Sequence, residues 1–222
     1  MSVIGASTDW ADLIDPLVPD ILRLIVATWD GMTAPANDDG EDKITVALCR
    51  ALQQNRTARG LMFQIRTQVV ELEPAAGEPL GRMDIVFIPL IPREEIYFCL
   101  ESKRLNVVRD GIVRTYSSEY VSFGMLRFVR GQYSSAVRHG GMIGYVLDGD
   151  IPRAITNVES NMRSQCADLG MDTPATFLAS AILPGEIRAK ETRHMRPINA
   201  ERFLLHHLFM PASVVPLPSE TR

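Results

Sequence analysis

The sequence predicts an α/β (α+β) fold in a single domain, and three observations support this prediction. Hydrophobic residues make up 46% of the 222 residues and charged residues 23%, a balance typical of a globular domain with its own core. A run with helical periodicity at 41–54 comes before two short apolar strands at 84–89 and 96–101. Another apolar run at 142–147 precedes a second helical pattern, so helices alternate with strands along the chain.

The first part of the chain is predicted to contain two helices separated by a loop. One helix is expected to begin near Pro19, since proline is tolerated in a first turn, and residues 31–40 then form the loop. Helix 41–54 has the clearest pattern, because its apolar residues recur at the spacing of one helical face. These residues are Ile44, Ala47, Leu48, Ala51 and Leu52.

The two strands at 84–89 and 96–101 predict a β-hairpin whose turn lies at residues 90–95. If the hairpin is symmetric about that turn, Asp84 lies opposite Glu101. Directly opposed residues carry their side chains on the same face of a sheet, with Cβ atoms about 5 Å apart. The hairpin is therefore expected to bring two carboxylates together at its open end.

Strand alternation places Lys103 on the same face as Glu101, while Ser102 points away. Two carboxylates and one ammonium group would then meet among apolar residues, which a core by itself does not require. Mg²⁺ takes oxygen ligands and commonly uses one or two carboxylates, and a lysine beside it can orient or deprotonate a water. This combination is the chemistry of metal-assisted phosphodiester hydrolysis.

At these residues the chain resembles the PD-(D/E)xK nuclease superfamily, which has the restriction-endonuclease-like fold. Asp84 matches the aspartate of the motif and Glu101-Ser102-Lys103 matches its (D/E)xK part, whereas Met83 stands where the motif has proline. The resemblance covers about residues 41 to 150. It implies a central mixed β-sheet with helices on both faces.

The resemblance also implies the roles of the site residues. Asp84, Glu101 and the Ser102 carbonyl are expected to bind Mg²⁺ (or Mn²⁺), and Lys103 is expected to position or activate the attacking water. In the resembled family a glutamate from the preceding helix often joins the site through a metal-bound water, which makes Glu41 a further candidate. Its alternative role is that of an acidic residue which stabilises a helix N-terminus through the helix dipole.

A helix predicted at 116–133 carries aromatic and basic residues at helical spacing. Arginine can hold a phosphate group with two hydrogen bonds, and aromatic rings can contact sugars. We therefore predict substrate contacts by four residues of this helix: Tyr116, Tyr120, Arg127 and Arg130. The alternative is that the aromatic rings pack on the sheet while the arginines extend to solvent.

The remaining elements complete the predicted domain, which is divided into a helix and loop (1–40), a catalytic core (41–150), a C-terminal part (151–210) and a tail (211–222). Residues 1–10 and the tail are expected to lack regular structure. The other predicted elements are a strand at 61–72, a loop at 106–111, a helix at 151–166, a hairpin of strands at 176–183 and 187–196, and a last helix at 200–210.

The composition limits the classes of function. A net charge of −4 and a pI near 5.6 are unlike a protein that coats nucleic acid non-specifically, although a local basic strip is still compatible with them. Three scattered cysteines are expected to be buried in a reducing compartment, and no Cys/His spacing indicates zinc. Because neither a basic leader nor about 18 uninterrupted apolar residues are present, we expect a cytoplasmic protein outside the membrane.

The resulting expectation is a Mg²⁺-dependent nuclease that acts on nucleic acid, DNA rather than RNA, in defence or mobile-element biology. Cutting both strands with one metal site per chain would need a homodimer, and an operon-encoded protein partner is also considered. One alternative is a catalytically inactive nuclease-like fold that serves as a binding or assembly subunit. Another is that the motif match is accidental and the hairpin carries an ordinary exposed salt bridge, which would stabilise the fold by only about 0–1 kcal/mol.

Overall fold

A computed structural model describes residues 13–90, 93 and 95–212. The predicted irregular N-terminus at 1–10, part of the hairpin turn and the tail from 213 onward lie outside these residues. The helices are α1 (Val18–Gly31, preceded by a 3₁₀ turn at Asp15–Leu17), α2 (Glu41–Ala58), the composite α3 (Ser117–Tyr120, Val121–Met125 and Leu126–Val129) and α4 (Ile151–Ser164). The strands are β1 (Phe63–Glu71), β2 (Gly81–Pro89), β3 (Phe98–Leu105), β4 (Val107–Arg109), β5 (Ile112–Arg114), β6 (His139–Val146), β7 (Leu178–Ala179), β8 (Ala189–Met195) and β9 (Arg202–Pro211).

Seven strands form one mixed sheet in the order β1-β2-β3-β6-β9-β8-β7, and β4 and β5 form a separate hairpin. The three central strands β3, β6 and β9 run parallel, while the remaining pairs in the sheet are antiparallel. In the β2–β3 hairpin, Ile85 pairs with Leu100 and Phe87 pairs with Phe98. These pairs confirm the predicted symmetric register of the hairpin.

Helices cover both faces of the sheet, as the fold prediction requires. On one face, α1 and α2 bury Ile25 and Leu48 against Phe87 of β2. On the other face, α3 and α4 pack in a second apolar cluster that includes Val86 of β2 and Val158 of α4. Adjacent residues of β2 thus point to opposite layers. The mixed α/β class is confirmed, and no helix among the described residues has the length and hydropathy needed to span a bilayer.

The predicted last helix at 200–210 is wrong, because these residues form strand β9 between β6 and β8. A strand with neighbours on both sides and helices on both faces is apolar on both faces. The run at 203–210 is nearly continuous in apolar residues, so three of them matched a helical face although the chain is extended.

Smaller corrections concern three other segments. The strand predicted at 176–183 is reduced to Leu178–Ala179, and the predicted loop at 106–111 instead contains β4 and the turn into β5. Helix 116–133 is shorter than predicted and is interrupted by a π-helical segment at Val121–Met125. The remaining predicted helices and strands agree with the structure to within a few residues.

Two of the four histidines belong to a buried hydrogen-bond chain whose geometry fixes their tautomers. His194 Nδ1 is 2.7 Å from the Leu169 carbonyl oxygen and must donate to it, which leaves Nε2 as an acceptor. The Thr192 hydroxyl therefore donates to His194 over 2.7 Å and accepts from His207 Nε2 over 2.8 Å. His207 Nδ1 then accepts from the Tyr120 hydroxyl at 2.9 Å. These directions hold for neutral imidazoles, and burial lowers the pKa of both histidines.

Acidification is expected to destabilise the fold through the buried histidines, and the clearest case is His206. Its ring stacks on His139, and burial lowers the pKa of His206 to about 3, whereas in the unfolded chain it is near 6.5. Between pH 3 and pH 6.5, His206 is protonated in the unfolded chain and neutral in the folded protein. The stability contributed by neutral His206 is therefore lost as the pH falls from 6.5 toward 3. Unfolding free energies at pH 6 and pH 4 should therefore differ less in His206→Gln than in wild type, by about 1.4 kcal/mol per pH unit. If the unfolding free energy changed equally with pH in the two proteins, this expectation would be contradicted.

Candidate active site

The predicted site begins where β2 and β3 diverge. The last backbone pair before the open end of the hairpin is Ile85 with Leu100. Beyond this pair, the Asp84 side chain makes the next contact between the two strands. Asp84 Oδ2 accepts a hydrogen bond from the Ser102 amide at 2.7 Å, and the Thr67 hydroxyl donates to the Asp84 carbonyl oxygen at 2.7 Å. β3 therefore holds the Asp84 carboxylate, while β1 holds the Asp84 backbone.

Lys103 extends from β3 into a ring of oxygen atoms. Its Nζ atom is 2.6 Å from the Ser102 carbonyl oxygen and 2.7 Å from Glu101 Oε1. It is also 3.3 Å from Oε1 of Glu41, the first residue of α2. The other Glu41 oxygen accepts the Arg104 amide at 3.0 Å, so α2 is attached to β3 at this point. The structure thus brings the predicted Glu41, Glu101 and Lys103 together.

Arg127 of α3 approaches the same carboxylate from the opposite direction. One of its guanidinium nitrogens is 2.8 Å from Glu101 Oε1 and 2.7 Å from the Tyr133 hydroxyl oxygen. Tyr133 in turn donates to the Arg82 carbonyl oxygen at 2.9 Å, which orients its ring. With 34% of its side chain exposed, Arg127 connects the buried Glu101 to the surface.

The π-helical segment of α3 lies directly over the strands of the site. A Cβ atom on Gly124 would be 2.3 Å from Met142 Cε and 3.9 Å from Glu101 Cγ, so a larger residue here would require the flexible end of Met142 to move. One extra residue per turn, as in a π segment, changes which residues face the sheet, and such segments are frequent at functional sites.

The electrostatics of the site are dominated by burial. Glu101 is 2% exposed, and burial raises the pKa of its carboxyl to about 7 although Lys103 and Arg127 oppose that shift. Burial also raises the pKa of Asp84 against the effect of the Ser102 amide and Lys103. For Lys103, burial alone would lower the pKa, but Glu101 and Glu41 outweigh it and the pKa is raised. The lysine is therefore a stable cation beside two carboxyl groups, Asp84 and Glu101, whose pKa values are raised.

The donor atoms fit a hard divalent cation, since every candidate ligand is an oxygen. Glu101 Oε2 is buried and, among the described residues, has no hydrogen-bond partner, so one carboxylate oxygen is left without compensation. Within the same part of the chain, no three His, Cys, Asp or Glu side chains are grouped closely enough to hold a metal by themselves. A cation here would therefore depend on backbone or solvent oxygens besides Asp84 and Glu101.

The predicted substrate-contact residues differ in their exposure to solvent. Tyr120 is wrong as a surface contact, because its side chain is fully buried and donates to His207. Arg130 is exposed at the end of α3, and Tyr116 is partly exposed with the Arg104 guanidinium 5.9 Å from its ring centre. The π segment separates these residues, which a uniform helical spacing had placed on one face.

The main residue that sequence reasoning missed is Tyr133, which holds Arg127 against Glu101. Nothing in the spacing of the two residues indicates this contact, because the chain turns at positive-φ Gly131 between them. Thr67 is likewise predicted only as a strand residue.

No protein-family model, curated protein or solved structure matches this chain.

Proposed function

We propose that this protein is a Mg²⁺-dependent (or Mn²⁺-dependent) nuclease that hydrolyses phosphodiester bonds of nucleic acid, DNA rather than RNA. The observation that carries the proposal is the buried contact of Lys103 with Glu101, one oxygen of which has no partner among the described residues, beside an Asp84 carboxylate that the Ser102 amide holds. Helix α2, the β1–β3 strands and the parallel β6 support a restriction-endonuclease-like core.

The roles of the residues follow from their chemistry. Asp84, Glu101 and the Ser102 carbonyl would hold the cation, which when bound supplies charge stabilisation and a more acidic water. Lys103 would orient that water or take its proton, and Glu41 would support the site from α2. Arg127 orients Glu101 and is exposed enough to reach a phosphate group, as Arg130 and Tyr116 are.

The wider setting is part of the same proposal. Two copies of the chain would be needed to cut both strands of a duplex if each holds one metal site, so we propose a homodimer. A role in defence or mobile-element biology, with an operon-encoded protein partner, is proposed by analogy with the resembled superfamily. The three cysteines are free and buried, which supports a cytoplasmic location.

The alternative is a catalytically inactive nuclease-like fold that serves as a binding or assembly subunit. The position of the Lys103 ammonium favours it, because the lysine already neutralises oxygens that a cation would use. The two functions differ in whether any metal-dependent cleavage occurs.

A cleavage assay tests the proposal with plasmid, single-stranded DNA and RNA in Mg²⁺, in Mn²⁺ and in a chelator. Wild type is expected to nick plasmid only with metal, and Lys103→Ala is expected to be slower by about 10² or more, the typical contribution of a proton-transfer group. Lys43→Ala is the matched control, since Lys43 is an exposed lysine whose partner, Asp39, lies one helical turn before it. Absence of cleavage under every condition, or equal loss in both variants, would reject the proposal.

A further inference from the structure

The Lys103 ammonium lies where three oxygen atoms suited to a cation converge. Ser102 O, Glu101 Oε1 and Glu41 Oε1 surround Nζ at 2.6, 2.7 and 3.3 Å. They come from a backbone carbonyl and two carboxylates, which is a mixture that hard divalent cations also use. Mg²⁺ binds such oxygens at about 2.0–2.1 Å, so an ammonium group and a metal ion cannot both lie between the same three oxygens.

We propose that Lys103 is an internal counter-ion which competes with the divalent cation for the Ser102 and Glu101 oxygens, so that metal binding displaces its ammonium group. This inference rests on the proposed function, since it concerns the same site. Lysine is suited to the task because its charge sits on a flexible four-carbon stem and can move without a change in the backbone. Arg127 is less suited, since its guanidinium is also held by Tyr133.

Displacement would cancel the net negative charge of the site. With all groups ionised, the carboxylates of Asp84, Glu101 and Glu41 face the cations of Lys103 and Arg127, which leaves one net negative charge. A divalent cation that displaces the Lys103 ammonium leaves Arg127 and the metal against three carboxylates, so the site becomes neutral. A phosphate group is therefore repelled by the metal-free site and not by the metal-bound site, so metal would control substrate binding as well as chemistry.

The competition also explains how the metal-free protein tolerates its carboxylates. Glu101 is 2% exposed and Lys103 is 13% exposed on the side chain, so each is the main compensation for the other's burial. The absence of a ready metal-binding group among the described side chains is consistent with a lysine that separates the carboxylates. Removing the lysine should therefore expose a stronger cation site.

Titration calorimetry with Mn²⁺ tests this in the full chain. Lys103→Met is expected to bind Mn²⁺ at least tenfold more tightly than wild type and to show a larger metal-induced rise in Tm. Arg127→Met removes an equal charge from the same Glu101 oxygen but does not free the Ser102 carbonyl, so it should gain much less. Equal affinities in wild type and Lys103→Met, or an equal gain in Arg127→Met, would overturn the inference.

A second measurement on wild type keeps the test independent of how the variant folds. The chain has three lysines, Lys43, Lys103 and Lys190, so their side-chain NMR signals can be assigned by single substitutions. Addition of Mg²⁺ is expected to change the chemical shift of the Lys103 signal until the site is saturated, and to leave the signals of the other two lysines unchanged. If Mg²⁺ supports cleavage but leaves the Lys103 signal unchanged, the inference is overturned and the proposed function stands. If the protein shows no metal binding and no cleavage, both the inference and the proposed function are rejected.

Discussion

Replacing Asp84 by asparagine is expected to reduce metal-dependent cleavage by about 10³-fold while the fold is kept. The amide oxygen of asparagine can still accept the Ser102 amide, which Asp84 Oδ2 now accepts at 2.7 Å. The negative charge needed to hold a divalent cation is lost, and about 4 kcal/mol of transition-state stabilisation corresponds to that factor. Rates of plasmid nicking and thermal unfolding curves measure the two effects separately.

The stability result is as informative as the rate. Burial raises the pKa of Asp84, which means that its charge is unfavourable in the folded protein. Asp84→Asn should therefore have a Tm at or above that of wild type, as expected when an active-site residue is optimised for function and not for stability. Asp168→Asn, at an exposed position, is the control. Full activity in Asp84→Asn would exclude Asp84 as a metal ligand.

Replacing Glu101 by leucine is expected to destabilise the protein by about 3–5 kcal/mol, the usual cost of leaving a buried charge without its partner. Lys103 and Arg127 both contact Glu101 Oε1, and without this oxygen the Lys103 ammonium keeps only the Ser102 carbonyl and the more distant Glu41 carboxylate as partners. Chemical denaturation measures this loss.

A double substitution distinguishes the charge effect from simple loss of packing. Adding Lys103→Met to Glu101→Leu removes the buried ammonium that has lost its nearest carboxylate and should recover at least half of the lost stability. Asp20→Asn breaks the exposed pair with Arg23 and should cost less than about 1 kcal/mol. If Glu101→Leu cost no more than Asp20→Asn, the buried network would not be important for the fold.

The candidate site could be predicted because its main residues are close in sequence. The turn and the strand alternation of one hairpin place Asp84, Glu101 and Lys103, and both rules act over a few residues. Glu41 required only that a helix precede the hairpin and begin beside it. The register of the hairpin follows from its symmetry, and the observed pairs agree with it.

The elements that could not be predicted depend on distant contacts. β9 is a strand because β6 and β8 pair with it, and an apolar run buried on both faces has no period that separates strand from helix. Tyr120 does not share a face with Arg127 and Arg130 because the π segment between them changes the helical phase, and no residue pattern marks this segment. Tyr133 reaches Arg127 only after the chain reverses, so spacing carried no signal.

The position of β9 has a consequence for the timing of biosynthesis. β6 pairs with β3 on one side, and its other edge is covered only by β9, which follows it by more than fifty residues in the chain. Non-local pairings of this kind form late and slowly. A nascent chain on the ribosome would therefore carry Asp84, Glu101 and Lys103 on an incomplete sheet until residues 202–211 have emerged.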